Sequence, residues 1–125
     1  MLQSLRYFLF PKACHGCSES LQASEYMICT RCRHHLPLTQ SHVYNDALIQ
    51  KVFYGRILLE QATALFYFEK KGPVQALLHN LKYRGQEEIS AFLGDWLGQE
   101  LAQLPAYQNI DVVIPVPIHP KKRKK

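Results

Sequence analysis

The chain has 125 residues and a formal net charge of +5, and 47% of it is apolar, including one Trp, six Phe and seven Tyr. That supplies enough apolar material for a packed core and excludes a disordered or low-complexity chain. Of fifteen Lys and Arg, five are Lys121, Lys122, Arg123, Lys124 and Lys125, so fifteen minus five leaves ten cations against ten Asp and Glu elsewhere. The positive balance thus describes one terminal run and excludes a broadly basic face. The run is either a solvated tail or a phosphate or nucleic-acid contact.

The first residues carry Leu2, Leu5, Phe8 and Leu9 at helical spacing, and Pro11 ends the pattern. The spacing predicts a short helix that packs on the segment after it. A membrane-surface helix is disfavoured because Arg6 is its only cation. There is no basic start and no small-residue cleavage site, as a secretion signal would need. No run approaches the ~20 apolar residues of a membrane span. Without a secretion signal, closely paired cysteines suggest a reducing compartment, and the expectation is a cytoplasmic protein.

All four cysteines lie between residues 14 and 32, as Cys14-x-x-Cys17 and Cys29-x-x-Cys32. Thiolates two residues apart can turn inward from one tight backbone knuckle, and two knuckles supply the four sulfurs of a closed structural zinc site. Two local disulfides or a redox dithiol are the alternatives. Four thiolates leave no open position for water, which argues against a catalytic zinc. His15, His34 and His35 are read as ordinary polar residues, because the four cysteines already complete a ligand set. Gly16 lies inside the first knuckle, where a positive φ would be easy for glycine. Arg31 and Arg33 either offset the charge of a tetrathiolate or stand exposed.

Residues 38–51 are polar and weakly periodic, a connector with room for a short helix. Residues 62–68 (ATALFYF) alternate as a strand, with Ala64, Phe66 and Phe68 on one face. After Lys71-Gly72, Pro73 stands where a helix would start, and Val74, Leu77, Leu78 and Leu81 predict a helix to about Tyr83 that stops near Gly85. Ile89, Phe92, Leu93, Trp96, Leu97, Leu101 and Leu104 predict a second helix over 88–104. Gly94 and Gly98 weaken it, and close packing on a neighbour would explain them. Residues 105–109 read as a loop. Residues 110–116 (IDVVIPV) form a β-branched run without alternation, as in a strand buried on both faces of a parallel sheet. Helix, helix, buried strand and a Pro-rich exit match the start of an α/β nucleotide-handling domain.

Two further stretches carry candidate chemistry. Lys82 and Arg84, in LKYRG, close a helix against its dipole and could also meet phosphate. Pro115, Pro117, His119, Lys121 and Arg123 follow the carboxyl end of the expected strand, where ligands of open α/β sheets gather. No Walker loop, GxGxxG turn, G-x-S-x-G elbow or HExxH is present.

The ordered set of Cys14-x-x-Cys17, Cys29-x-x-Cys32, Leu81-Lys82-Tyr83-Arg84-Gly85 and Asp111-Val112-Val113-Ile114-Pro115-Val116-Pro117-Ile118-His119-Pro120 resembles the ComF family of competence-associated, phosphoribosyltransferase-like proteins. The resemblance spans essentially the whole chain. It implies an N-terminal helix and zinc-ribbon module over 1–37, a connector over 38–61, and over 62–125 the first part of a type I phosphoribosyltransferase-like α/β domain with a parallel sheet. It also implies binding of 5-phosphoribosyl diphosphate with Mg²⁺ in a full-length form, and a pathway of DNA uptake. The family's R-G-[FY]-N-Q sequence and its T-T-G loop with an acidic pair do not occur before Lys125. The expectation is therefore a fragment or a shortened gene product, with apolar surface left exposed. The alternative function is a non-catalytic zinc ribbon that binds single-stranded DNA or a DNA-uptake helicase.

Overall fold

A computed structural model of the chain describes residues 11–44 and 47–117. Among the described residues five α-helices follow one another: α1 Thr30–His35, α2 Ser41–Tyr44, α3 Ala47–Lys51, α4 Pro73–Tyr83 and α5 Glu88–Ala102. A single 3₁₀ turn, Pro105–Tyr107, comes after them. The expected N-terminal helix, His119, and the basic run 121–125 lie outside the described residues.

α4 forms where the sequence places it. Pro73 sits in the first turn, where its missing N–H costs nothing, and Gly72 precedes it in an extended conformation. The helix ends at Arg84, whose N–H donates to the Asn80 carbonyl at 3.1 Å, and Gly85 leaves it at φ +62°. Val74 and Leu77 are buried, with Leu78 and Leu81 packed beside them. α5 buries Ile89 completely and lays Phe92, Leu93 and Trp96 against the same cluster. The predicted stripe is realised most tightly at its N-terminal end.

The buried cluster joins the two helices to the cysteine segment. Cys14, Met27, Ile28, Cys29, Cys32, Leu36, Val74, Leu77 and Ile89 form one contiguous core. Burying a side chain such as Leu77 or Ile89 is worth roughly 1.5–3 kcal/mol. The cysteine loop is thus one wall of the core that α4 and α5 complete.

A buried polar chain fixes the connector to α5. The Thr39 hydroxyl donates to the Ala64 carbonyl. Ser41 Oγ lies 3.0 Å from Thr39 Oγ1 and 2.9 Å from Thr63 Oγ1. The His42 side chain, only 2% exposed, has Nδ1 at 3.2 Å from Thr63 Oγ1 and Nε2 at 2.9 Å from Glu100 Oε2. Trp96 Nε1–H donates to Glu100 Oε1 at 2.7 Å. Thr39, Ser41, Thr63, His42, Trp96 and Glu100 each have a side-chain partner in this network, which is the condition for burying polar groups without penalty.

The sheet expectations are corrected. Among the described residues there is no strand, only isolated antiparallel bridges. Residues 62–68 contribute one of these, Leu38 with Phe66, made by Thr39 N–H to Leu65 O at 3.1 Å and Tyr67 N–H to Pro37 O at 2.8 Å. The pairing is antiparallel and stops at this single bridge, so no ladder forms. Phe68 is 60% exposed, so the alternation fails at its last position. Residues 110–116 have no regular secondary structure and no backbone pairing among the described residues, with Val113, Ile114 and Val116 more than 80% exposed. A strand buried on both faces exists only when neighbours supply both ladders, and no described segment does so. The described architecture supports no parallel sheet.

Two smaller corrections concern glycine. A side chain at Gly94 or Gly98 would meet nothing within 4 Å, so neither serves close packing. Gly16 does not take a positive φ. Ser18 at 64° and Met27 at 62° do, one just after the first cysteine pair and one just before the second.

Candidate metal centre

The two cysteine pairs are presented by different local structures. Cys14 and Cys17 sit on a turn closed by Ser18 N–H to Cys14 O at 2.8 Å and Cys14 N–H to Glu19 O at 2.7 Å. Residue Ser18 takes the left-handed conformation that lets the chain double back. Cys29 is the N-cap of α1, and its Sγ accepts from Cys32 N–H at 3.4 Å. An acceptor at that position satisfies a helix N–H that has no partner inside the helix. Cys32 follows on the first turn, so the x-x spacing puts both sulfurs on one side.

The loops bring the four Sγ atoms within 4.8 Å of one another. Cys17 Sγ and Cys29 Sγ are 3.7 Å apart. A tetrahedral site with metal–sulfur bonds of about 2.3 Å has sulfur–sulfur edges of about 3.8 Å, close to the Cys17–Cys29 separation and consistent with a zinc site. Three cysteines are buried and Cys17 is partly covered. All four are free thiols, so the disulfide alternative is not realised. The site is of zinc-ribbon type, with knuckles flanked by the short bridges Ala13–Ser20 and Tyr26–Ile28.

Electrostatics favour a cation at the centre. Burial opposes ionisation of Cys14, but N–H groups of Cys29, Cys17 and Gly16 outweigh it and bring the thiol down to about 7. Two of these bonds measure 3.2 Å from Cys29 and 3.4 Å from Gly16. Burial and the neighbouring sulfurs push Cys32 the other way. A divalent cation at the centre would offset the charge of thiolates held this close.

Close packing around the site explains Gly16. An added Cβ there would lie 3.1 Å from Cys32 Sγ and 3.3 Å from Pro73 Cβ. The glycine lets the first knuckle press on both a ligand and the start of α4. Asn80 Nδ2–H donates to His15 O at 3.0 Å and ties the knuckle to the middle of that helix. Glu25 supports the second knuckle by accepting from Thr30 N–H, Thr30 Oγ1–H and Gln22 N–H, and these bonds lower its carboxyl below the ordinary value.

Both arginines stand exposed, one of the two expected roles, and each has a partner. Arg31 pairs with Glu19 at 2.6 Å on the surface, beside Cys17. Arg33 lies over the Trp96 ring at 4.8 Å and links α1 to α5. None of His15, His34 and His35 joins the cysteine cluster; His35 Nδ1 instead lies 2.7 Å from Arg31 O.

The remaining candidate residues do not assemble into one place. Lys82 and Arg84 are exposed at the end of α4. Pro115 and Pro117 are exposed in the unpaired segment, and the cavities that Arg84 lines include neither. His119, Lys121 and Arg123 lie outside the described residues. Sequence reasoning missed an aromatic row: Tyr26 meets Phe92 edge-on at 6.2 Å, Phe92 meets Trp96 at 6.0 Å, and Trp96 meets Phe66 at 5.7 Å. The helical stripe contained Phe92 and Trp96, but only the fold places Tyr26 beside them. No described helix is long and apolar enough to cross a membrane.

Comparison of the chain with protein-family models, with curated proteins and with solved structures gives no match.

Proposed function

We propose that the chain is the zinc-stabilised front part of a ComF-like protein, with one structural zinc ion held by Cys14, Cys17, Cys29 and Cys32. The observation that carries the metal reading is the convergence of four sulfurs within 4.8 Å inside the core that α4 and α5 share. Such a site substitutes for hydrophobic core that a small module lacks. Free thiols at this density fit a reducing, cytoplasmic setting. Elemental analysis should give one zinc per chain, lost on Cys14→Ser or Cys32→Ser. Metal content near zero in a folded chain would refute the reading.

The transferase-like half of the proposal rests on LKYRG and DVVIPVPIHP. In a full-length form the domain beginning near residue 62 binds 5-phosphoribosyl diphosphate with Mg²⁺, through phosphate contacts from Lys82, Arg84, His119, Lys121 and Arg123 and a loop shaped by Pro115 and Pro117. DNA uptake is the pathway. Calorimetric titration of that form with phosphoribosyl diphosphate and Mg²⁺ tests it, and the absence of heat at millimolar ligand would refute it.

One observation favours a second reading, a module for single-stranded DNA that works beside a helicase partner. Tyr26, Phe92 and Trp96 line an open groove of about 470 Å³, with Arg33 over Trp96 and Lys12 5.9 Å from the Tyr26 ring. Bases stack on such rows. Glu88 and Asp95 share the groove and oppose phosphate. Quenching of Trp96 by an oligonucleotide, with a salt slope, would support this reading; unchanged emission would remove it.

A further inference from the structure

A second cleft, separate from the aromatic groove, lies between the first cysteine knuckle and α4. It encloses about 370 Å³ and is lined by His15, Ser18, Lys71, Gln75, His79, Asn80 and Arg84, among others. No Asp or Glu is among its lining residues, whereas the aromatic groove has Glu88 and Asp95 and a smaller cavity near His42 has Glu100. The ion pairs found among the described residues, Arg31 with Glu19 and His42 with Glu100, involve none of the basic groups here. Two full cations and two imidazoles therefore share one concave surface whose own lining carries no carboxylate; the nearest acids are Glu88, in the adjoining cavity that His15 and Arg84 also line, and Glu69 beside Gly72.

The surface is rigid. The knuckle is pinned by His15 N–H to Met27 O at 2.9 Å, and Asn80 locks it to α4 at 3.0 Å. The sulfur charge behind Gly16 is spread by N–H donors from Gly16, Cys29 and Cys32. We propose that this cleft binds an acidic peptide segment of a partner protein, through the juxtaposition of Lys71, His79 and Arg84 along α4 with His15 on the knuckle.

Length and hydrogen-bonding capacity select a peptide. The cations do not converge on a point, as a single phosphate would require. Lys71 stands just before and Arg84 just after a helix of eleven residues, which rises about 16 Å, the span of about five extended residues. Between the cations stand two side-chain amides. Gln75 Oε1 already accepts from Lys71 N–H at 2.6 Å, and Asn80 Nδ2 already donates to His15 O. By hydrogen-bonding inventory Gln75 keeps a donor in Nε2 and Asn80 an acceptor in Oδ1, and both residues line the cleft. An acceptor there suits a ligand with N–H groups, which a peptide backbone has and a phosphate chain lacks. Acidic side chains then meet the cations, and Arg84 can grip a carboxylate with two donors.

The test uses the zinc-loaded chain and labelled hexaglutamate, read by fluorescence anisotropy, with zinc measured on the same sample. This keeps failure of the cleft distinct from failure of the zinc reading on which its knuckle wall rests. Binding should saturate, weaken with salt, fall about tenfold in the Lys71→Gln, Arg84→Gln double variant, and stay unchanged in Lys51→Gln. No saturable binding at millimolar peptide with one zinc per chain would overturn the proposal. So would an equal loss in Lys51→Gln, or an oligonucleotide of matched charge that binds more tightly than the peptide.

Discussion

Substituting Gly16 tests how tightly the first knuckle is fitted to the metal centre. In Gly16→Ala the new methyl would sit 3.1 Å from Cys32 Sγ, 3.3 Å from Pro73 Cβ and 3.5 Å from Cys32 Cβ. Neither neighbour can yield: Cys32 is held by its role in the sulfur cluster, and Pro73 is a closed ring that starts α4. Gly16 has no positive φ, so the substitution adds contact strain and no backbone penalty. Overpacking of this kind costs about 1–3 kcal/mol. Because metal binding and folding are coupled, that cost appears as zinc affinity weakened about five- to 150-fold. Competition against a chromogenic chelator measures it. Gly94→Ala supplies the opposite sign, since its surroundings are open and helix propensity alone predicts a gain of about 1 kcal/mol. A Gly16→Ala chain that holds zinc as firmly as the parent would refute the close fit between knuckle, ligand and helix.

Three further outcomes follow from the same geometry. Chelating the metal should red-shift the emission of Trp96, the single tryptophan, because Arg33 of the cysteine module and Phe66 cover its ring; an unchanged spectrum would mean that the helices hold their packing without the module. His42→Ala should cost about 1–3 kcal/mol in urea unfolding, since Thr63 and Glu100 each lose a partner at a buried ring. Glu25→Gln should lower the melting temperature near neutral pH. The folded-state carboxyl of Glu25 lies below its ordinary value of 4.5, so its contribution is complete above that value and is lost as pH falls through the depressed folded value. The gap between parent and variant should therefore close in acid, and a gap independent of pH would show that the hydrogen bonds to Thr30 and Gln22 do not favour the ionised form.

Local chemistry was legible before any fold was known. The x-x spacing of the cysteines, Pro73 at the head of one helix, Gly85 at its exit and the i, i+3, i+4 rows at Val74 and Ile89 depend on residues within a turn or two of each other. Short-range sterics and hydrogen bonding settle such features whatever lies around them. The misreadings at residues 62–68 and 110–116 share one cause. β-propensity says that a segment will fit a ladder, but only a second segment supplies the ladder, and hydrophobic pattern is silent on whether that segment is present.

Tertiary structure decided the rest. Position in the knuckle suggests a conformational role for Gly16, but it is a contact glycine, because Cys32 and Pro73 approach it from elsewhere in the chain. Arg33, which spacing leaves either beside the thiolates or exposed, is exposed and covers Trp96, sixty-three residues away in sequence. Tyr26 joins Phe92 and Trp96, and His15 joins Lys71, His79 and Arg84, only when the cysteine loop docks on α4 and α5. The sequence alone determined which residues can hold a metal and which segments coil. Burial of the cysteine loop against the two helices determined which side chains share a surface, because long-range proximity is a property of the packed core and not of spacing along the chain.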